Sequence, residues 1–211
     1  MVADRLGVYT AKLAGAGLIG AFSLVGNSVE GCIATMLFSP IGMPISAVGK
    51  SMVDGRHGAC AINVVIVSAS VAILLLCGAA VRMWDTWAVA KPSNEEIDKR
   101  TAPFNLRNTV AYAMLIGALT ALNDSPLRGP RAMNESALTL ESVALAIAIS
   151  ISVPLINAGI KWVDCRNATS RADSDRHRRG MLLSLGMSAC NVVGMTASIT
   201  LAYWAAKRFH R

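Results

Sequence analysis

Charged residues and apolar residues occupy separate blocks along this chain. Six stretches contain no Asp, Glu, Lys or Arg, and the shortest is 16 and the longest 27 residues long. They are residues 13–29, 31–49, 58–81, 108–123, 142–160 and 180–206. A helix needs roughly 20 apolar residues to cross a bilayer, whereas a water-soluble helix carries charges on its outer face. The pattern excludes an ordinary soluble protein and predicts an all-α fold, a polytopic membrane helical bundle.

Prolines interrupt the second and fifth of these segments. The second contains Ser39, Pro40, Gly42, Met43 and Pro44 within six residues, and the fifth contains Pro154. Proline removes a backbone donor and clashes with the preceding helical turn, so we expect both helices to be broken. Non-helical backbone at membrane depth is tolerated only where it is packed in protein or lines a wet cavity. Residues 31–49 either cross the membrane or form a re-entrant hairpin.

The two halves of the chain resemble each other in three places. The first segments read AGAGLIGA at 14–21 and AYAMLIGA at 111–118. The second segments share a proline, a glycine, a valine and an aspartate at one spacing: Pro44, Gly49, Val53 and Asp54 against Pro154, Gly159, Val163 and Asp164. The third segments share Asn-Val-Val, which begins at Asn63 and at Asn191. Three matches in the same order predict an internal duplication.

The duplication predicts the domain organisation. Residues 1–84 form the first three-segment repeat, 85–107 a polar surface linker, and 108–211 the second repeat with a basic loop at 161–179. An odd number of crossings turns the second unit upside down, which is the inverted repeat of many transporters. If 31–49 crosses, the basic residues divide almost evenly between the two membrane sides, so the positive-inside rule gives little orientation.

Composition narrows the chemistry. The chain has 20 Lys and Arg against 13 Asp and Glu, a formal net charge of +7, which favours anionic lipid headgroups as partners. The basic residues are scattered over polar stretches without interleaved aromatics, so we expect no nucleic-acid partner. The five cysteines form no C-x-x-C pair, and no hydrolase, Walker or H-E-x-x-H motif is present. We therefore expect no metal, no cofactor and no enzyme activity.

Several blocks resemble one membrane family. The stretch 34–45, ATMLFSPIGMPI, is similar to the A-M-L-x-S-P-L-M-G-P-I stretch of the prokaryote-rich uncharacterised hydrophobic domain family (domain of unknown function 389). Residues 96–103, EIDKRTAP, look like the family's E-I-x-x-R-T-x-P block, and 153–160 and 191–194 resemble two more. The resemblance spans roughly residues 15–205. It implies a multi-pass membrane protein and no established reaction.

Polar groups inside a membrane are costly and mark candidate sites. The candidates for solute or ion binding lie at the predicted breaks and at matching repeat positions: Ser39, Pro40, Met43, Pro44, Ser46, Asn63, Pro154, Asn157 and Asn191. Freed backbone groups at broken helices bind ions and solutes. No acidic residue lies in the middle of a segment, so we expect a transporter or channel for a small neutral or anionic solute or ion.

The alternative prediction is a structural or scaffolding membrane protein. In that case the loop 161–179 binds lipid headgroups or a partner through its arginines: Arg166, Arg171, Arg176, Arg178 and Arg179. Small residues such as Gly15, Gly17 and Gly20 permit close helix packing, which favours a homo-oligomer. Both predictions place the chain in a membrane as an integral, multi-pass protein.

Overall fold

The computed structural model describes residues 2–88, 114 and 151–209. The elements in these residues are helices: α1 (Val2–Val25), α2 (Val29–Phe38), α3 (Gly42–Val53), α4 (His57–Ala88), α5 over residues 151–167, and α6 (Arg171–Phe209). Three helical stretches are long and apolar enough to cross a membrane, namely Leu6–Val25, His57–Asp85 and Arg171–Ala205. The prediction of an all-α chain with helices suited to a membrane is confirmed for the described residues.

The interval between α2 and α3 follows from the two prolines. Ser39 precedes Pro40 and has φ −77° and ψ 113°, since the proline ring disfavours helical backbone in the residue before it. That extended residue ends α2. Pro44 lies in the first turn of α3, where its missing N–H has no helical partner to lose. One proline therefore helps to end a helix, and the other is accommodated at the start of the next.

Gly55 makes the turn from α3 into α4. Its φ is +69°, a left-handed conformation that glycine adopts without a Cβ penalty. The Gly55 N–H donates to the Met52 carbonyl, and the Arg56 N–H donates to the Ser51 carbonyl. These bonds satisfy carbonyl groups that the end of α3 leaves unpaired, so α4 begins at His57 only four residues after α3 ends.

The stretch 161–179, predicted as a loop, is mainly helical. Residues 161–167 belong to α5 and 171–179 to α6, which leaves 168–170 as the connection. The helix begins this early because Ser170 caps α6. The Ser170 Oγ accepts from the Asp173 N–H at 3.1 Å and donates to the Asp173 carboxylate at 2.7 Å. The first of these bonds satisfies one of the free backbone donors at the start of a helix, so α6 already begins at Arg171.

Pro154 does not interrupt α5 within the described residues, because 151–167 are helical throughout. The expected break of the fifth segment is therefore absent from this range. The predicted repeat boundary at residue 84 falls inside α4, which continues to Ala88. The rest of the predicted linker 85–107 lies outside the described residues, and so does the predicted fourth segment 108–123 except Met114.

The helix directions follow from contacts along their lengths. The Tyr9 hydroxyl of α1 lies 2.8 Å from Ser70 Oγ of α4, and Cys77 Sγ donates to the Ala14 carbonyl at 3.7 Å. The contact residue that comes later in α1 meets the one that comes later in α4, so α1 and α4 run parallel. Val25 at the end of α1 therefore lies toward the end of α4, and residues 26–56 return the chain to the start of α4.

The helix α6 runs antiparallel to α4. Near the start of α4, Lys207 Nζ of α6 lies 3.2 Å from Asp54 Oδ1. Near the end of α4, Asp164 of α5 contacts both Arg82 and His177, one residue from each helix. The short helix α3 packs against α4 and α6, while α2 packs against α1. The helices α2 and α3 thus have different neighbours and together lead from one end of the bundle to the other.

Candidate functional site

Buried polar side chains form a continuous face on α6. Ser184, Ser188 and Asn191 are spaced by four and three residues and therefore share one side of the helix. Their exposures are 1%, 3% and 3%. The next position on this face is Met195, which is fully buried. A face of this kind is unusual in an apolar helix, since each buried polar group requires a partner.

Residues of α5 supply partners for this face, and α5 in turn bonds the α2–α3 link. Asn157 Nδ2 donates to Ser184 Oγ at 3.3 Å, and Ser188 Oγ donates to the Ile151 carbonyl at 3.3 Å. Ser39 Oγ lies 2.8 Å from Ser152 Oγ. We call this group the polar stripe: Ser39, Ser152, Asn157, Ser184, Ser188 and Asn191. The stripe joins residues from both halves of the sequence.

Asn157 has an unfilled acceptor. Its side chain is fully buried, and its Oδ1 has no hydrogen-bond partner in the described part of the chain. Burying a polar atom without a partner costs about 1–3 kcal/mol. Serine hydroxyls can bond their own helix backbone, as Ser70 does with the Ile66 carbonyl, but an amide has more donors and acceptors than its helix can satisfy. The Asn157 carbonyl oxygen is thus available to accept from a small donor.

An ionic cluster lies at the end of α4. Arg82 Nε donates to Asp164 Oδ1 at 2.6 Å, and its guanidinium lies 3.1 Å from Asp85 Oδ2. His177 Nδ1 is 3.9 Å from Asp164 Oδ2, and neither of these two atoms has a hydrogen-bond partner among the described residues. The Arg82 and Asp164 side chains are 6% and 7% exposed, so each charge is compensated by its partner because water does not reach it.

The sequence alone does not predict this cluster. The repeat marks Asp164 as the counterpart of Asp54. Asp164 follows a membrane-length apolar run and would need a partner on a helix, whereas a loop at 161–179 would place it in water. In the structure the Asp54–Lys207 pair is about half exposed, at 46% and 47%, unlike its buried counterpart.

The predicted solute-binding residues do not all meet. Ser39 and Asn157 lie in the polar stripe, as does Asn191, and Pro44, Ser46 and Pro154 are buried as well. Met43 is 71% exposed. Asn63 is half-buried and donates to the Ala59 carbonyl of its own helix at 2.9 Å, so nothing in these contacts gives it the central role predicted jointly with Asn191. Pro40, in the link before α3, is also half-buried.

The predicted arginine patch lies at the α5–α6 end of the bundle. Its five members are exposed: Arg166, Arg171, Arg176, Arg178 and Arg179. The Arg166 guanidinium lies 5.1 Å from the centre of the Trp162 ring, a distance typical of a cation–π contact. Exposed cations next to an aromatic ring suit the boundary between lipid and water.

Two glycines expected to support a homo-oligomer are used within the chain. A Cβ on Gly17 would lie 2.8 Å from Cys77 Sγ, and one on Gly20 would lie 2.7 Å from the Ile156 side chain. Gly15 has open space around it. The oligomer stays a prediction. Among the described residues, no group of three or more His, Cys, Asp or Glu is placed to hold a metal ion.

Comparison with protein-family models, with curated proteins and with solved structures finds no match to this chain. The similarity to the uncharacterised hydrophobic domain family therefore stays a prediction from the residues that suggest it.

Proposed function

We propose that this chain is a multi-pass integral membrane protein that moves a small neutral or anionic solute along the polar stripe. The observation that carries the proposal is the unfilled Asn157 Oδ1 on a buried stripe that joins both halves. In a bilayer, such groups are expensive and typically belong to a pathway or binding site. A purely structural interior would be expected to satisfy or replace this atom.

Helix lengths support a membrane-spanning arrangement. At 1.5 Å per residue, α4 rises roughly 37 Å from His57 to Arg82, enough to cross a hydrocarbon core of about 30 Å. The Asp54–Lys207 pair lies beside the start of α4, and the Arg82–Asp164 pair lies toward its end. The two ion pairs then lie toward opposite membrane faces, the Asp54–Lys207 pair half exposed and the Arg82–Asp164 pair buried between helices. Residues 26–56 lead from one end to the other, which favours a crossing rather than a re-entrant second segment.

Two reciprocal contacts support an inverted duplication. A Cβ on Gly49 would lie 2.5 Å from the Ile199 side chain of α6, and a Cβ on the matching Gly159 would lie 2.1 Å from the Leu75 carbonyl of α4. The second segment of each half thus crosses the third helix of the other half at its glycine. The two third helices run antiparallel, as inverted repeats require.

Each ion pair also joins the second segment of one half to the third helix of the other half. Asp54 pairs with Lys207 of the second half, and the matching Asp164 pairs with Arg82 of the first half. The alignment of Asn63 with Asn191 places Lys207 opposite Ala79, one helical turn from Arg82. The glycine contacts are displaced by a similar amount, since Ile199 aligns with Val71 rather than Leu75. The duplicated halves are therefore related with a consistent shift of about one turn.

The chemistry of the stripe favours neutral or anionic solutes. Its members are hydroxyl and amide side chains, and the carboxylate nearest to them along α5 is Asp164, which pairs with Arg82. A bare cation usually requires carboxylates or a ring of carbonyls. Hydroxyls and amides instead exchange hydrogen bonds with a solute that brings its own donors. We infer a small polyol, amide or oxyanion as the solute class.

The experiment compares solute flux in proteoliposomes that contain the full chain or a variant. Glycerol, urea and nitrate are the probes, with empty liposomes as the baseline. We expect Asn157→Leu to abolish the flux and Asn63→Leu to leave it intact, because Asn63 bonds its own helix. Equal flux for both variants, or no flux of any probe above baseline in the unchanged protein, contradicts the proposal.

The exposed arginines favour a second candidate function, a scaffold that binds lipid headgroups or a partner at the α5–α6 end. Reversing Arg176, Arg178 and Arg179 to glutamate is expected to weaken the binding of phosphatidylglycerol vesicles to the protein held in phosphatidylcholine nanodiscs, with Asn157→Leu as the matched control. Unchanged association of the arginine variant contradicts this function. Asn157→Leu separates the two candidates, since it affects flux alone.

A further inference from the structure

An apolar groove runs along the bundle between α4 and α6, with α3 as its floor. Its volume is about 940 Å³, and all its lining residues come from these three helices. Matching positions of the two halves both line it, for example Val64 with Val192 and Ser68 with Thr196. The 12-residue helix α3 packs against both α4 and α6, so it closes the bottom of the groove between these two longer helices.

The groove has the length of one bilayer leaflet. It extends from Cys60 to Ser68 along α4 and from Val192 to Trp204 along α6. At 1.5 Å per residue these stretches rise roughly 12 Å and 18 Å, and half of a hydrocarbon core is about 15 Å. The groove begins near the start of α4, which is the end beside the Asp54–Lys207 pair, and stops near the middle of the bundle. A single acyl chain fits these dimensions.

Basic residues surround the outer end of the groove. Lys50, Arg56, Lys207 and Arg208 are exposed there, and Asp54 pairs with one of them. The Lys50 ammonium lies 5.1 Å from the Tyr203 ring and the Arg208 guanidinium 5.2 Å from the Trp204 ring. These aromatic contacts hold two cations beside the mouth of an apolar groove. This patch is at the opposite end from the predicted lipid-binding arginines of α5 and α6.

We propose that the groove binds one acyl chain of an anionic phospholipid, whose phosphate lies among Lys50, Arg56 and Arg208. Cations near a membrane surface attract anionic headgroups, and the groove provides an apolar surface one leaflet deep. A zwitterionic lipid would fill the groove without the charge preference. A second copy of the chain would fill the groove and exclude both kinds of lipid from it.

A smaller groove at the other end serves as a reference. It has a volume of about 290 Å³ and is lined by residues of α4, α5 and α6, among them Gly159 and Trp162. It matches the large groove in position, since a second segment lies between the two third helices in each case. Its volume is about a third of the larger one, so we assign the lipid site to the groove floored by α3.

The test measures quenching of Trp204 fluorescence by brominated lipids in phosphatidylcholine bilayers. The full chain carries Trp84→Phe, Trp87→Phe and Trp162→Phe, so that Trp204 is the reporter, and circular dichroism checks that it stays helical. We expect brominated phosphatidylglycerol to reach half-maximal quenching at a mole fraction about fivefold below that of brominated phosphatidylcholine. Equal mole fractions, or shielding of Trp204 from both lipids as a second copy would cause, overturn the proposal.

Two further variants test the two parts of the site. Arg56→Gln with Arg208→Gln is expected to remove the preference for phosphatidylglycerol, whereas Lys12→Gln, which removes an exposed cation of α1 away from the groove, is expected to keep it. Ala197→Phe places a ring in the groove and is expected to weaken quenching by both lipids. A preference that survives the first pair overturns the phosphate assignment. The proposal rests on the membrane placement alone, so its outcome is independent of solute flux.

Discussion

Arg82 of α4 and Asp164 of α5 form a buried ion pair that ties these two helices together. The Nε to Oδ1 distance is 2.6 Å, and both side chains are more than nine-tenths buried. Removing one partner of a buried pair leaves a charge without compensation, which costs about 3–5 kcal/mol. The matching pair of Asp54 and Lys207 is half exposed, and exposed pairs contribute about 0–1 kcal/mol.

The first prediction compares the buried ion pair with the half-exposed one. Asp164→Asn lowers the free energy of unfolding by about 3 kcal/mol or more, whereas Asp54→Asn changes it by about 1 kcal/mol or less. Denaturation of the detergent-solubilised protein by sodium dodecyl sulfate measures both variants. If the two substitutions have the same effect, the Arg82–Asp164 pair is not the main electrostatic tie between the halves.

Gly159 provides the second prediction, because it allows the backbones of α5 and α4 to touch. A Cβ there would lie 2.1 Å from the Leu75 carbonyl oxygen, and one on Gly78 would lie 2.1 Å from the Ile156 carbonyl oxygen. Backbone atoms cannot move aside as a flexible side chain can. We expect Gly159→Ala to destabilise the protein by about 3 kcal/mol and Gly15→Ala, which meets open space, to have little effect. Thermal unfolding in detergent measures the pair, and an equal shift for both contradicts the close crossing.

The third prediction separates stability from function at Asn157. Leucine has a similar volume and removes the unpaired oxygen, which offsets the lost hydrogen bond to Ser184. Asn157→Leu is expected to keep the unfolding free energy within about 1 kcal/mol of the unchanged protein, or to raise it, while solute flux is lost. Chemical denaturation and the proteoliposome assay are run on the same preparation. A large loss of stability would make Asn157 a structural residue.

Ser170 provides the fourth prediction. Its hydroxyl caps α6 through Asp173 at the connection from α5. Ser170→Ala is expected to destabilise the protein by about 1 kcal/mol and to increase amide hydrogen exchange over residues 171–175. Ser170→Asp keeps an acceptor at the cap and serves as the control. Unchanged exchange in the alanine variant would mean that packing alone holds the first turn.

The sequence predicts the helical class well because the apolar blocks are as long as a membrane is thick. It predicts the interval between α2 and α3 because Pro40 acts on its immediate neighbour, a purely local effect. It does not predict the course of 161–179, where length and charge suggest a loop but the Ser170 cap extends α6. The repeat identified Asp164, yet its partner Arg82 is 82 residues away, a distance at which only the packing of the helices selects the pair.

The candidate site shows the same division. Asn157 and Asn191 were identified because an amide in an apolar segment requires partners, and both are buried in the polar stripe. Asn63 has the same signal, but it is only half-buried and donates to the Ala59 carbonyl of its own helix. The sequence does not single out Ser184 and Ser188, since serine in a membrane helix commonly bonds its own backbone. These two serines differ from others because they lie on the face of α6 that packs against α5. The sequence does not determine which face packs against which helix.

The central claim is that the two halves are inserted with opposite orientation, and one labelling experiment tests it directly. Single cysteines introduced as His57→Cys or Thr169→Cys, in a chain whose five cysteines are changed to serine or alanine, are exposed to a membrane-impermeant maleimide on sealed vesicles. His57 is the exposed first residue of α4, and Thr169 lies in the link before α6. The inverted arrangement predicts that one site is labelled from outside and the other only after the membrane is opened. Labelling of both sites from the same side would contradict it.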